Sequence, residues 1–216
     1  PSLLEEGLYF ADGQILDEVY VYGSFTQSKM FQRDVQCSDC HDVHSVKPVL
    51  EDNALCLQCH REAQYDGYEH HFHKQAGEDG DPIFDADGEI LFDVGTGALC
   101  RECHMPGRTY MGNDYRPDHS FRVPEALSAE TGSTDACLRC HVDQDSQWSQ
   151  DKVVEWYGPG RRAHYGDILF RARRGEPGVE TELAALAADG KIEAKVAAEA
   201  IRRYDIDPDK PDPVEL

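Results

Sequence analysis

With 216 residues, 42 acidic against 21 basic side chains and a formal charge of −21, the chain lacks the basic surface that a phosphate backbone requires, which argues against nucleic acid as a partner. No apolar run reaches the roughly 18 to 20 residues needed to cross a bilayer, so no membrane span is expected. An apolar fraction of 40% is low for a chain that fills its interior with side chains alone, and the start at Pro1 rather than Met is that expected of a processed product or a piece of a longer protein.

In chain order, the first predicted element runs from Gly13 to Phe25. Ile15, Val19 and Val21 lie there between polar residues and Tyr20 alternates with Tyr22, the pattern of a strand or an extended packing arm. Next comes Cys37-Ser38-Asp39-Cys40-His41, and the same spacing returns at Cys56 to His60, Cys100 to His104 and Cys137 to His141. Every cysteine belongs to a CxxCH. Two thiols at this spacing add to the two vinyl groups of one haem, and the following histidine supplies an imidazole to its iron. An even cysteine count in an exported protein would ordinarily suggest disulfides, and Cys37 to Cys59 alone would suit a four-cysteine zinc ribbon. Zinc accounts for half the cysteines and leaves unexplained why all four CxxC pairs precede a histidine when only ten histidines occur in 216 residues. Four covalently bound haem c groups are the expectation, with Cys37, Cys40, Cys56, Cys59, Cys100, Cys103, Cys137 and Cys140 as attachment points and His41, His60, His104 and His141 as proximal ligands.

Each iron needs a second axial ligand or an open side, the choice that separates electron transfer from catalysis. Six further histidines face four irons: His44, His70, His71, His73, His119 and His164. Met105 directly follows His104 and is poorly placed to reach the opposite face of the same haem. Met30 and Met111 read as packing residues. Four bis-histidine haems is the economical reading. His44 lies three residues past His41, so on a helical turn the two rings share a side, and the Asp42-Val43 link is too short to wrap the porphyrin edge. His44 is therefore expected to serve the iron of Cys56 and Cys59, making CxxCHxxH a clamp on two irons. Within Glu69-His70-His71-Phe72-His73 at least one ligand is expected, with His73 preferred.

Short helices are predicted from Asn53 through Cys59 and from Thr134 through His141, and the acidic, Gly-rich insert from Ala76 to Gly97 reads as a solvated loop or hairpin. Its Asp85-Ala86-Asp87-Gly88 lacks the first and last carboxylates of an EF-hand. A helix from Ser146 to Tyr157 presents Trp148 and Trp156 on one face and ends at Gly158. From Thr181 to Tyr204, two helical segments split at Asp189-Gly190 predict a hairpin without cysteine or histidine.

Gly7-Leu8-Tyr9, Ala11 to Tyr20, Cys37 to Ser45, Glu69 to His73, Cys103 to Pro106 with Arg108 to Met111, Asp118 to Arg122 and Trp156 to Gly158 together resemble exported multihaem c-type cytochromes with paired CxxCH motifs, many followed by tetratricopeptide repeats. Unlike them, this chain begins just inside the haem region and stops after one hairpin. The resemblance implies electron transfer. The haem count is also similar to that of extracellular tetrahaem cytochromes that form conducting filaments, some of which take an axial histidine from the next subunit.

The resulting expectation is a mainly α chain with extensive loops, organised around four haems, with a tetrahaem domain over residues 1–175 and a helical hairpin and tail over 176–216. Its expected role is non-enzymatic electron transfer outside the cytoplasm, periplasmic or extracellular, to redox partner proteins or extracellular acceptors. The alternatives are a homo-oligomeric conducting filament and a multihaem oxidoreductase with one open iron.

Overall fold

The computed structural model describes residues 6–124, 131–159 and 164–189. Up to His104 the α-helices are single turns of four to six residues: Val21–Phe25, Cys37–Cys40, Asp52–Leu57, Glu62–Tyr65, Tyr68–His71 and Cys100–His104. Longer helices follow at Ser146–Tyr157, Tyr165–Arg173 and Glu180–Ala188. Two antiparallel strand pairs intervene, Ile83–Phe84 with Ile90–Phe92, and Gly107–Tyr110 with Asp114–Pro117.

This overturns the mainly α expectation: the described chain is mixed α/β with loops. The reason is local. Thr109, Tyr110 and Tyr115 favour a pleated surface, and Gly112 at φ +77° closes their hairpin. Elsewhere the helices end after one turn, Tyr68–His71 at a left-handed Phe72 with φ +56°. The Gly13 to Phe25 arm is also corrected. Ile15 makes an isolated antiparallel bridge to Tyr9, and Val21–Phe25 is helical. Thr134 to His141 is a hydrogen-bonded turn rather than a helix, whereas Ser146–Tyr157 follows the sequence reading. Asp145 caps it by accepting the Trp148 N–H at 2.9 Å. The acidic insert is a hairpin whose turn is held by Asp85 Oδ1, which accepts the N–H groups of Asp87 and Glu89.

Tyr9, Ala11, Ile15, Leu169, Val179, Leu183 and Leu186 form a buried apolar cluster of the chain's own. The first half of the expected C-terminal hairpin, Glu180–Ala188, packs against Tyr165–Arg173, and the second half lies outside the described residues.

A buried polar network carries the geometry from this core to the histidines. The Asp12 carboxylate is 3.3 Å from Arg122, and the Asp12 carbonyl accepts from both Arg122 and the Tyr165 hydroxyl. Burial alone would raise the Asp12 pKa, but Arg122 and hydrogen bonds from Ser133 and Gln14 hold it below the usual carboxylate value. Asp118 accepts from Ser24 and Ser120, each at 2.6 Å, which fixes the loop that carries His119.

Candidate haem sites

Each CxxCH begins as one helical turn. The N–H of His41, His60 and His141 donates to the carbonyl of the first cysteine of its motif, at 2.8, 3.0 and 3.0 Å, and Cys100–His104 is itself helical. Cysteines at i and i+3 thus share one side of a turn, as attachment to one porphyrin requires. No disulfide joins any of the eight cysteines, all of which lie among the described residues. Among the described residues no three His, Cys, Asp or Glu converge as a zinc-type ligand set.

The motifs are cross-linked to one another. Asn53 Oδ1 accepts the Cys100 N–H at 2.8 Å, while its amide donates to Asp66 at 2.6 Å and to the Ala98 carbonyl at 3.0 Å. The nearness of Cys56 and burial together raise the pKa of Cys100, and the same neighbour lowers that of Cys56. Arg139 of the last motif pairs with Glu102 of the third at 3.0 Å. Burial pushes the Cys103 thiol up to about 12, with a further push from Cys137.

The histidines form pairs. His41 faces His119, His70 faces His104 and His73 faces His141, in each case with ring centroids 6.2 Å apart. An imidazole nitrogen binds a transition metal at about 2 Å and lies about 1.1 Å from its ring centroid, so two rings on opposite sides of one ion stand about 6.2 Å apart. Every pair joins one motif histidine to one histidine outside the motifs.

The tautomers agree with this geometry. Nδ1 lies 2.8 Å from the Val46 carbonyl in His41, 2.5 Å from that of His71 in His73, 2.8 Å from that of Arg122 in His104 and 2.9 Å from that of Pro117 in His119. A carbonyl only accepts, so Nδ1 carries the proton and Nε2 keeps its lone pair for a metal. Burial lowers the pKa of His70, His119 and His141, and the facing imidazole adds to the effect in each. Neutral rings are the form that ligation requires. The residues present fit a bis-histidine iron at the first, third and fourth motifs.

The remaining histidines differ. His71 Nδ1 accepts the His73 N–H at 3.2 Å, and its Nε2 is buried without a hydrogen-bond partner. His164 Nδ1 accepts the Gly166 N–H at 3.0 Å, capping Tyr165–Arg173, and burial takes its pKa down to about 4. His44 is exposed on a turn whose N–H groups at His44 and Ser45 donate to Asp42 Oδ1. His41 is extended rather than helical, so the helical premise of the His41/His44 clamp does not hold. His60 meets the edge of Tyr65 at 5.8 Å, and among the described residues no second imidazole stands across from it at the ligand spacing.

The sequence places Trp148 and Trp156 on one face of a helix without giving them a role, and it does not single out Gly97 or Phe72. Trp148 lies 4.8 Å from the His141 ring and Trp156 lies 6.1 Å from that of His73. The signal for Phe72 was its place inside the histidine cluster. A scan of protein-family models and searches of curated proteins and of solved structures return no match to this chain.

Proposed function

We propose that the chain is an electron carrier with four covalent haem c groups, of which the first, third and fourth take bis-histidine ligation from His41/His119, His104/His70 and His141/His73. The observation that carries this reading is the common 6.2 Å spacing, repeated in three pairs that each draw one ring from a CxxCH. Two imidazoles favour a low-spin iron that exchanges electrons with little change in its ligands, and low reduction potentials relative to His/Met ligation. Covalent attachment of this kind belongs outside the cytoplasm, and redox proteins or extracellular acceptors are the partners it would serve. Among the described residues no helix is long and apolar enough to cross a membrane. Electron paramagnetic resonance of the oxidised holoprotein tests the assignment: at least three of four irons should be low-spin. A majority of high-spin irons would sink it.

One observation favours a second reading, the conducting filament. Among the described residues His60 has no imidazole opposite, while His44 is an exposed imidazole beside Val43 and Val46, 70% and 71% exposed. A ligand in search of an iron and an iron short of a ligand, on one chain, suit a head-to-tail contact between copies. Negative-stain microscopy of the wild type and His44→Ala distinguishes the readings. Filaments lost on substitution support it; a wild type that stays monomeric at all concentrations removes it.

A further inference from the structure

His70 and His73 lie three residues apart but face different motif histidines, His104 and His141. Three residues of chain span at most about 11 Å, so the two irons these rings would hold are tied to one short segment. On a continuous helix the two rings would share a face. Here the helix ends at His71, and Phe72 adopts φ +56°, a left-handed conformation that glycine or asparagine ordinarily supplies. That strained residue turns His73 away from His70. The Phe72 ring lies flat on Trp156, with centroids 4.7 Å apart and planes 5° apart, and Trp156 also makes an edge-to-face contact with His73. The neighbouring Tyr157 hydroxyl donates to the His70 carbonyl, so one helix end braces both ligands. A conformation of this cost persists where its surroundings over-determine it, which points to a task for the geometry.

We propose that the haems of the third and fourth motifs form one coupled redox pair, and that Trp156, through its stack on Phe72, is the positioning residue that sets their separation and orientation. This rests on the haem assignment above and adds to it that two of the four irons act on each other. Neither Phe72 nor Trp156 is a ligand in this arrangement. Trp156 holds the bend that His70 and His73 share, so that reduction of one iron shifts the potential of the other, and their one-electron steps belong to the pair.

The test is electron paramagnetic resonance of the holoprotein during a redox titration, in the wild type, Trp156→Ala, Trp156→Phe and His73→Met. In the fully oxidised wild type, two low-spin irons should show interaction-broadened signals. The broadening should vanish when one of the two is reduced. His73→Met should raise the potential of one member and so identify the fourth motif as part of the pair. Trp156→Ala should retain four haems and low-spin ligation while losing the broadening, and Trp156→Phe should keep it. Four haems with no interacting signals in the wild type would overturn the pair and leave the haem assignment standing. Coupling unchanged in Trp156→Ala would overturn the role of Trp156. A wild type without haem would fail the earlier assignment instead, which the pigment content reveals before any titration. The wild-type measurement decides the coupling even if the alanine variant does not fold.

Discussion

Gly97 sits so close to His73 that a Cβ added there would lie 2.4 Å from the imidazole Cδ2. Its φ is not in the left-handed region, so the constraint is the ring itself, and Gly97→Ala must displace either His73 or the turn before Cys100. The expected result is a protein with four haems in which one iron turns high-spin and binds carbon monoxide when reduced. A variant that remains wholly low-spin and unreactive would separate His73 from iron ligation.

His164 provides a test by pH. Its pKa falls from 6.5 to about 4, chiefly through burial and then the Arg122 charge. Below about pH 6.5 the unfolded chain takes up a proton that the folded chain refuses until about pH 4. Stability is therefore lost as the pH falls through that window, by about 3 kcal/mol for this group. His164→Asn keeps a capping acceptor for Gly166 and removes the titration. Denaturant unfolding at pH 7 and pH 4.5 should show a smaller acid loss in the variant, with the low-spin irons intact. An equal loss in both proteins would show that His164 is not the titrating group, and a lost low-spin iron would make it a ligand.

Asn53, on the helix that leads into the second motif, makes three hydrogen bonds, one of them to the third motif at the Cys100 N–H. Asn53→Ala leaves the Cys100 N–H and the Ala98 carbonyl without this partner and should destabilise by about 2 to 3 kcal/mol. Chemical denaturation measures it. A loss under about 0.5 kcal/mol would mean that solvent replaces the bonds and that the clasp does not hold the motifs together.

The local half of this arrangement is legible in the sequence. CxxCH carries its own helical turn, and Ser146–Tyr157 announces itself by its tryptophan face and terminal glycine. The partners of the motif histidines are another matter. His41 and His119 are far apart in the chain and meet because Asp118, held by Ser24 and Ser120, fixes the His119 loop. Residue spacing suggested a two-iron segment at His41/His44, while the structure brings two pairs together on His70/His73. The difference lies in Phe72, whose left-handed backbone no propensity rule assigns to phenylalanine. The second hairpin, Gly107–Tyr110 with Asp114–Pro117, escapes the sequence reading for a similar reason: strands of four residues carry too few positions for an alternation to register.

The charge of −21 gives a kinetic expectation. Association with a soluble basic redox partner should slow steeply as ionic strength rises, because screening shortens the reach of the acidic surface. Stopped-flow electron transfer between 10 and 500 mM salt, an approximate range that takes the Debye length from about 30 Å to below about 8 Å, reads this directly. A rate indifferent to salt would leave the acidic residues as a solubility feature.

The central claim is that these cysteines hold haem, and the intact mass of the denatured polypeptide tests it most directly. Thioether bonds survive denaturation, so four CxxCH motifs predict the 24.3 kDa chain plus four haems. A mass equal to the bare chain, from cells competent in haem attachment, would contradict the account.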